Sequence, residues 1–531
     1  MADIVGDDNL RLLWERLRES RGDATFLEFQ NRDGAVTTHS YRAFDDEINC
    51  TANLFLSLGV QPGETVAVQM HTCPEFMLCL FGLAKIGAIA VPMNEQYLKP
   101  EAAFVLERTG ATCAVVEAEF AGLYAELSQT GDYLPKGLLI ARASRGKADW
   151  PAAARRAHEQ GGAVRCFDAE RAAQPAVLRE ERPLSSNDPA EIIFTSGTTA
   201  DPKGVVLTHA NLLYSGLYGC WETSLASRDR LLTTMPACHS NFQLAALTPV
   251  LVAGATLIVV EKYSASRFWQ QVRDYRATVA QCVAMMLRTM MVQPVQPGEQ
   301  DHCLREMLYF LSVTDEEKEA FERRFNVRLM NTYGSTETVC WVLTDPPVGP
   351  RRWPSIGRPG LGYEVRIMAD DGREAAVGEA GEIQVKGVPG RTIMAEYYHD
   401  PEATARTFTE DGWLRTGDRG YRDIDGWFFF VDRKANMIKR AGENISTTEI
   451  ENVLVEHPAI EEAAVIGVDD PVRDQAVKAF VLPAEGASLD AEEVRAWCAE
   501  RLAAFKVPEF VEFVATFPRT CSLKIEKKLL R

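Results

Sequence analysis

The most informative segment of the chain is Ile193-Phe194-Thr195-Ser196-Gly197-Thr198-Thr199-Ala200-Asp201-Pro202-Lys203-Gly204. The apolar run before Thr195 predicts a buried strand, and the loop after it is dense in hydroxyl and small side chains. Such a loop directs backbone N–H groups, hydroxyls and a cation toward one point, as a polyphosphate requires. It is not a Walker A loop, because glycine rather than serine or threonine follows Lys203. The alternative is a polar surface turn closed by Asp201-Pro202.

Size and charge limit the possible classes of protein. With 531 residues the chain is too long for one hydrophobic core, so we expect two or more domains. Its content of 46% hydrophobic and 25% charged residues is typical of globular proteins in water. The net charge of −18 argues against nucleic acid as a partner, because phosphate contacts need a basic face. An anionic ligand must therefore be bound by local cations and backbone donors.

The cysteines and the N-terminus predict a cytoplasmic location. The 12 cysteines include no C-x-x-C pair, which argues against a cysteine-ligated zinc site and favours reduced thiols. The acidic N-terminus lacks the apolar core of a signal peptide. The most apolar long run, 76–93, is interrupted by Lys85, Gly87 and Pro92. We therefore predict a helix, a turn and a strand there, and no membrane partner.

Hydrophobic periodicity predicts an alternation of strands and helices through most of the chain. This pattern indicates an α/β fold with largely parallel sheets. Residues 143–187 are weakly patterned, and we interpret them as surface helix and loop. The predicted helices include 9–20, 41–58 and 266–276. The predicted strands include 24–29, 36–38, 65–70, 111–116, 231–235, 256–261 and 279–282.

The last third of the chain has a different pattern of predicted secondary structure. Short strands around 364–367 and 382–385, separated by glycine-rich turns, indicate a β subdomain. After the aromatic strand 427–430, a pattern of helix, strand, strand and helix indicates a small α+β domain of about 100 residues. We therefore predict a large N-terminal domain over 1–432 and a small C-terminal domain over 433–531.

Further chemistry-bearing stretches follow the opening loop. Each of them, taken alone, is compatible with an ordinary turn or with solvated charges. Their order and spacing along the chain carry more information than any one of them. They are Asn331-Thr332-Tyr333-Gly334-Ser335-Thr336-Glu337-Thr338, Thr416-Gly417-Asp418, the segment 434–445, and Pro518-Arg519-Thr520-Cys521-Ser522-Leu523-Lys524.

With these motifs in this order, the chain resembles the adenylate-forming superfamily of acyl-CoA synthetases, luciferases and peptide-synthetase adenylation domains. The resemblance covers nearly the whole sequence. From residue 235 to residue 530 it is similar to acyl-CoA synthetases of the crotonobetaine/carnitine-CoA ligase type. The residues that carry this finer resemblance are Glu261-Lys262-Tyr263-Ser264, Arg351-Arg352-Trp353-Pro354-Ser355-Ile356-Gly357 and Phe505-Lys506-Val507-Pro508.

The resemblance implies two half-reactions, with ATP, Mg²⁺ and coenzyme A as cofactors and a small carboxylic acid as substrate. The carboxylate attacks the α-phosphate of ATP to give an acyl-adenylate and pyrophosphate, and the thiol of coenzyme A then displaces AMP. A carboxylic acid is already ionised at pH 7 and needs no base. The catalytic problem is therefore to bring two anions together and to stabilise the charge on the α-phosphate.

The resemblance also implies roles for individual residues. Glu337 would bind Mg²⁺, and the remaining positions fall into three groups. The expected catalytic residues are Lys524, Thr336, Lys439 and His239. The expected nucleotide-binding residues are Thr195, Ser196, Gly197, Thr198, Thr199, Lys203, Asn331, Tyr333, Gly334, Asp418 and Arg433. The expected acyl pocket is Trp221, His239, Ser240, Asn241, Gly334, Ser335 and Trp341; for the two tryptophans a packed core is the alternative.

Members of this superfamily rotate the small domain between the two steps. The resemblance places the hinge at Ala435. Lys524 would serve the adenylation step, and after rotation Lys439 with Gly442 would replace it. A rotating small domain of this kind needs only a few hinge positions that absorb a change in backbone angles.

Several positions depart from the family pattern. Leu523 stands where glycine usually precedes the terminal lysine, and Ala435 lacks the usual charged hinge side chain; the other departures are Ala200 and the segment 311–315. They motivate the alternative that adenylation is intact while the acyl group is passed to a carrier protein or a partner ligase. A catalytically silent nucleotide sensor is disfavoured, because Glu337 and Lys524 are both present. The family also allows a homodimer.

Overall fold

A computed structural model describes most of the chain. The described residues are 3–97, 99–111, 113–130, 137–141, 164–195, 202–310, 313–339, 341–433, 437–440, 443–470, 474–502, 504–520 and 524–530. They form two compact units, Met1–Val365 with Val385–Leu414, and Arg366–Gln384 with Arg415–Arg531. The predicted division at residue 432 concerns a moving domain, which this partition does not test, and it stays a prediction.

The strands are numbered in chain order and connect into four sheets. They are β1 Thr25–Gln30, β2 Val36–Ser40, β3 Thr65–Gln69, β4 Ile89–Pro92, β5 Cys113–Glu117, β6 Gly137–Ala141, β7 Val164–Cys166, β8 Pro189–Thr195, β9 Lys203–Thr208, β10 Arg230–Thr233, β11 Thr256–Val260, β12 Val279–Val283, β13 Glu306–Phe310, β14 Leu329–Tyr333, β15 Leu343–Thr344, β16 Arg358–Pro359, β17 Glu364–Met368, β18 Gly381–Lys386, β19 Leu414–Arg422, β20 Phe428–Arg433, β21 Met437–Arg440, β22 Glu443–Ser446, β23 Ile460–Asp470, β24 Asp474–Pro483 and β25 Phe510–Phe513.

Helices connect most of these strands, so the predicted α/β class is confirmed. The helices are Leu10–Arg21, Tyr41–Ser57, Pro74–Lys85, Lys99–Thr109, Ala121–Thr130, Phe167–Ala172, His209–Thr223, Ser240–Phe242, Thr248–Ala253, Phe268–Asp274, Ala284–Met291, Asp315–Phe325, Pro401–Thr407, Thr447–Val455 and Ala491–Ala499, with a π-helical turn at Gln243–Leu247 and 3₁₀ turns at Ala118–Phe120, Ala504–Lys506 and Lys527–Leu529.

The first unit is built on two large, mostly parallel sheets. One has the order β7-β6-β5-β3-β4-β8-β9, in which only β9 runs antiparallel to its neighbour. The other has the order β16-β15-β14-β13-β12-β10-β11-β1-β2, with parallel strands from β14 to β1 and antiparallel strands at both edges. Strands such as Thr256–Val260 and Cys113–Glu117 are buried along their whole length, because both faces of a parallel sheet are covered.

The second unit contains a four-stranded sheet, β17-β18-β19-β20, and a sheet of order β22-β21-β24-β23 with β25 paired to β24. The first of these corresponds to the predicted β subdomain. The second, with the helices Thr447–Val455 and Ala491–Ala499, corresponds to the predicted α+β pattern. The predicted short strands around 364–367 and 382–385 are β17 and β18 of the first of these sheets.

The apolar run 76–93 forms the helix Pro74–Lys85 and strand β4, as predicted. Lys85 is buried at the end of that helix, where its ammonium group donates to Asp45 and, over 2.7 Å, to Asn49 Oδ1. Its charge is therefore compensated inside the core. Among the described residues no helix is long and apolar enough to cross a membrane.

The weakly patterned stretch 143–187 contains one element that periodicity did not reveal. Val164–Cys166 is the edge strand β7, paired with β6. Three residues are too few to show an alternating pattern. The part of the stretch before residue 164 lies outside the described residues.

Glu191 is a buried carboxylic acid in β8. It borders a small cavity lined by Leu10, Phe81 and Leu247 among other apolar side chains. Burial raises the pKa of Glu191 to about 8, although a hydrogen bond from Gln243 partly opposes the shift. The folded protein therefore holds a proton at Glu191 at neutral pH, which the unfolded chain releases.

We expect the substitution Glu191→Gln to change how stability depends on pH. The pKa rises from 4.5 in the unfolded chain to about 8 in the fold, so the stabilisation is complete below pH 4.5 and is lost as the pH rises toward 8. The slope reaches about 1.4 kcal/mol per pH unit. Glutamine cannot ionise. The melting temperature of the variant should therefore rise steadily, relative to that of wild type, from pH 5 to pH 8.

The matched control is Glu181→Gln, which alters an exposed glutamate. Differential scanning fluorimetry of the three proteins gives the comparison directly. The other buried acids are present in all three proteins, so their contributions to the pH dependence cancel in the comparison. A gap between wild type and Glu191→Gln that stays constant with pH would contradict the assignment.

Candidate active site

Strands β8 and β9 form the base of the opening loop. Thr195 and Lys203 are Cα partners across this antiparallel pair, so they lie opposite each other where the chain leaves and rejoins the sheet. Both side chains are half-buried. The predicted residues Ser196, Gly197, Thr198 and Thr199 lie outside the described residues.

Glu337 lies beside this end of the β8–β9 pair. Its Oε1 accepts a hydrogen bond from the Tyr397 hydroxyl over 2.9 Å and one from Thr195 Oγ1 over 3.4 Å. Lys203 Nζ stands 4.9 Å from the centre of the Tyr397 ring. The structure therefore brings Thr195, Lys203 and Glu337 together, from two distant parts of the sequence, around one tyrosine.

Sequence reasoning missed Tyr397. Its position results from backbone pairing: Tyr397 forms an antiparallel bridge with Val205, and Tyr398 N–H donates to the Gly204 carbonyl over 2.7 Å. Burial, followed by the adjacent Glu337 carboxylate, raises the pKa of Tyr397 far above its usual value. The phenol therefore keeps its proton and acts as a donor to Glu337. Nothing local to Tyr397 in the sequence indicates this contact.

The segment after β14 forms a tight turn that holds Thr336. The N–H groups of Thr338 and Val339 donate to the carbonyls of Ser335 and Thr336 over 3.2 and 3.1 Å. Thr336 is buried, and its hydroxyl lies 3.3 Å from Ser240 Oγ. This contact joins the predicted catalytic threonine to the predicted acyl-pocket segment.

His239 precedes the short helix Ser240–Phe242 and caps it. Its Nδ1 accepts from the Asn241 N–H over 3.2 Å. The Asn241 carbonyl in turn accepts from Gln281 Nε2 over 3.0 Å, which anchors the turn to strand β12. His239 and Asn241 are half-buried and Ser240 is buried, so the turn lines an interior surface rather than open solvent.

Asn331 and Tyr333 lie on β14, directly before Gly334. The Asn331 side chain is buried and its amide donates to the Ser355 carbonyl over 2.7 Å, while its backbone N–H donates to Asp345 Oδ2 over 3.0 Å. Burial raises the pKa of Asp345 to about 6. Tyr333 is half-buried at the end of the strand, as a residue bordering a ligand would be.

The two predicted pocket tryptophans lie in two linked aromatic pairs, Tyr218 with Trp221 and Phe310 with Trp341, which we call the aromatic cluster. The ring of Trp341 is 4.6 Å from that of Phe310, and Trp221 is 5.3 Å from Tyr218. The Tyr218 hydroxyl donates to the Trp341 carbonyl, which links the two pairs. Trp341 is 8% exposed and Trp221 is half-buried, so Trp221 offers the larger accessible ring surface.

The remaining predicted residues lie in the second unit. Asp418 is buried and is the Cα partner of Arg433 across β19 and β20. Lys439 lies on β21, opposite Asn444 of β22. Lys524 is exposed, and its carbonyl accepts from Thr520 N–H over 2.8 Å. The predicted hinge Ala435 and its companions Gly442 and Leu523 lie outside the described residues.

Comparison with known proteins begins with sequence families. The AMP-binding enzyme family matches residues 13–398, and the AMP-binding enzyme C-terminal domain matches residues 449–524. The chain is 48% identical to a crotonobetaine/carnitine–CoA ligase of Citrobacter koseri over 529 residues, covering 100% of both chains. It is 47% identical to the ligase of the same name from Salmonella paratyphi A, over the same length and coverage.

Solved structures agree with this grouping. The chain superposes on an anthranilate CoA ligase bound to anthranoyl-AMP with a TM-score of 0.84 and 25% identity, over 99% of this chain and 97% of that one. It superposes on a benzoate CoA ligase from Burkholderia xenovorans with a TM-score of 0.83 and 24% identity, over 99% and 100%. The second likeness is evidence for the fold alone.

These findings identify the class of reaction that the chain catalyses. They support ATP-dependent activation of a carboxylic acid followed by transfer of the acyl group to coenzyme A, and none of them favours the alternative of adenylation alone. The residues that the fold gathers around Glu337 and Thr336 are the ones the resemblance assigned to that chemistry. The chain belongs to the AMP-binding enzyme family, within the adenylate-forming superfamily, and is an AMP-forming acid–CoA ligase.

Proposed function

We propose that the acid activated by this ligase is a betaine, a small carboxylic acid with a quaternary ammonium group, such as crotonobetaine or carnitine. The observation that carries the proposal is identity of 46–48% over the full length to relatives named as crotonobetaine/carnitine–CoA ligases. Their alignment covers both chains completely, so the acyl-pocket segments are included.

The aromatic cluster supports the same class of acid. A quaternary ammonium group cannot donate a hydrogen bond, and it is recognised by aromatic faces at about 0.5–2 kcal/mol per contact. Trp221 and Trp341 were both expected in the acyl pocket, and they lie in one cluster with Tyr218 and Phe310. A carboxylate of the same shape that lacks the ammonium charge gains no such electrostatic attraction.

A pair of isosteric acids tests the proposal. Crotonobetaine and its carbon isostere 5,5-dimethylhex-2-enoate differ in one atom and one charge. We expect acid-dependent pyrophosphate release to show a kcat/KM at least about tenfold higher for crotonobetaine. Trp221→Leu should reduce this ratio, whereas Trp413→Leu, at a half-buried tryptophan outside the cluster, should leave it unchanged. Equal kcat/KM values for the two acids would exclude recognition of the charge.

We further propose that the gathered residues act on ATP as the resemblance implies. Thr195 and Lys203 hold the β- and γ-phosphates, Thr336 contacts the α-phosphate, and Glu337 is the ligand of Mg²⁺, since a carboxylate is the hard oxygen donor that this ion prefers. Asn331 and Tyr333 border the adenine, and Asp418 and Arg433 bind the ribose. When bound, Mg²⁺ neutralises charge on the polyphosphate.

In this assignment Tyr397 is a positioning residue. Its hydroxyl holds Glu337 Oε1 at 2.9 Å while Lys203 lies over its ring. The phenol thereby sets the distance between the proposed metal ligand and the proposed phosphate-binding cation. A hydrogen bond to a charged group contributes about 1.5–3 kcal/mol.

We expect Tyr397→Phe to lower kcat for pyrophosphate release about tenfold to a hundredfold and to raise the Mg²⁺ concentration needed for half-maximal rate. The ring under Lys203 remains, so only the hydroxyl contact is removed. Tyr398→Phe is the matched control, because Tyr398 stacks on His399 outside this contact. An unchanged Mg²⁺ dependence in Tyr397→Phe would show that the phenol does not position Glu337.

We propose that the domain over 433–531 rotates between the half-reactions and exchanges Lys524 for Lys439. A lysine in contact with the α-phosphate offsets the negative charge that opposes attack by the carboxylate. Lys439 lies on β21, whose pairing with β22 holds the backbone of the lysine in a sheet.

The two lysines should separate the half-reactions. We expect Lys524→Ala to abolish acid-dependent pyrophosphate release but to retain thioester formation from supplied acyl-adenylate. Lys439→Ala should show the reverse pattern, and Lys528→Ala, at an exposed neighbour, should affect neither. Near-wild-type adenylation by Lys524→Ala would refute the role given to that lysine.

Association into a homodimer, a carrier-protein acceptor and a cytoplasmic location stay predictions.

A further inference from the structure

Three adjacent parallel strands of the seven-stranded sheet end in a cluster of metal-binding side chains. His71 follows β3, Glu95 follows β4, and Glu117 is the last residue of β5, with Glu119 in the turn after it. Since β4 and β5 flank β3, their carboxyl ends meet at one edge of the sheet. None of these residues has a part in the ligase chemistry described above.

The His71 ring is held by a buried carboxylate. Glu117 Oε2 accepts from Nδ1 over 2.6 Å and from the His71 backbone N–H over 3.0 Å. When the Nδ1 proton of a neutral imidazole is donated to Glu117, the lone pair of the ring is on Nε2. The Phe120 ring stacks on the imidazole at 5.1 Å and restrains it further.

The fixed Nε2 atom faces two more carboxylates. Glu119 Oε1 lies 3.4 Å from it and Glu95 Oε2 lies 3.9 Å from it. One ligand atom each from His71, Glu117 and Glu119 all lie within 4.8 Å of one another. Two ligands of one ion with bonds of about 2.0–2.2 Å can be no more than about 4.4 Å apart, and the distances from Nε2 to Glu119 and Glu95 fall within that limit.

Glu117 indicates that positive charge is needed beside the imidazole. Its side chain is 1% exposed, and among the described residues its Oε1 has no hydrogen-bond partner. A buried carboxylate oxygen without a donor is costly unless a positive charge compensates it. The imidazole alone, when it keeps a single proton, offers no such charge.

We propose that His71 Nε2, Glu119 and Glu95 bind a divalent transition-metal ion, with Glu117 as the carboxylate that orients the histidine. One imidazole nitrogen with carboxylate oxygens suits zinc or manganese rather than Ca²⁺ or Mg²⁺, which take oxygen ligands alone. A buried carboxylate on the second ring nitrogen is the usual support of a metal-bound histidine. The absence of cysteine pairs in the sequence does not bear on such a site.

The site is joined to the acid-binding region by one residue. Thr72, next to His71, accepts from the Ala237 N–H over 2.9 Å, and that backbone leads directly to His239. An ion at His71 would therefore stiffen the end of the segment that carries His239, a residue expected in the acyl pocket. The binding test below does not depend on the ligase activity.

Zinc binding to the full chain tests the proposal. Protein freed of metal is titrated with Zn²⁺ in excess Mg²⁺, with binding followed by calorimetry and by the rise in melting temperature. We expect one site that is weakened about tenfold to a hundredfold by Glu117→Gln and more strongly by Glu119→Gln and His71→Gln. Glu107→Gln, an exposed glutamate in the same unit, is the control and should bind as wild type does.

Cobalt substitution identifies the ligands. The absorption spectrum of the Co²⁺ protein should show nitrogen and oxygen ligation, without the thiolate charge-transfer band that one of the free cysteines would cause. Equal Zn²⁺ affinity in wild type and the three cluster variants would overturn the proposal, as would a thiolate band. So would a wild-type chain that binds no Zn²⁺, which would identify the cluster as an ion pair between protonated His71 and its carboxylates.

Discussion

The pairing of β9 with the backbone around residue 397 is the contact on which the site depends. It joins the end of the β8–β9 pair to a segment about 190 residues later in the chain, through the Val205–Tyr397 bridge and the Tyr398 to Gly204 hydrogen bond. The Met394 N–H also donates to the Glu337 carbonyl over 2.9 Å, so the same segment holds the turn that carries Glu337. Three separate parts of the sequence are therefore held at one place by main-chain hydrogen bonds, which do not vary with side-chain rotamer.

Charge is the second constraint. The chain carries a net charge of −18, yet its substrate ATP is a polyanion. The fold places Lys203 over the Tyr397 ring and the Thr195 hydroxyl beside Glu337, and this is the point at which we propose that the phosphates bind. Two buried acids elsewhere stay neutral, because burial raises the pKa of Glu191 and of Glu222 to about 8. Such protonated acids add nothing to the negative field around the nucleotide at neutral pH.

Much of the fold was predictable, since hydrophobic periodicity depends on local burial. The helix Leu10–Arg21 begins at Asn9, whose side chain accepts from the Leu12 N–H as a capping residue does, and the helix Tyr41–Ser57 is followed by Gly59 with φ of +78°. Strand β7 was not predictable, because three residues show no period and their role is set by the neighbouring β6. The order of strands within each sheet was likewise not contained in the pattern of single elements.

The amino-acid sequence alone determined the family, the two-step chemistry and the residues expected to carry it, because the motifs around Thr195, Thr336, Asp418 and Lys524 are contiguous and their order is read along the chain. Tertiary structure alone decided that Tyr397 joins Glu337 and Lys203, and that His71, Glu117 and Glu119 form one cluster. These residues are brought together by strand pairing across long separations. A single sequence records which side chains are present and how they alternate, but hydrogen bonds between distant strands determine which of them meet.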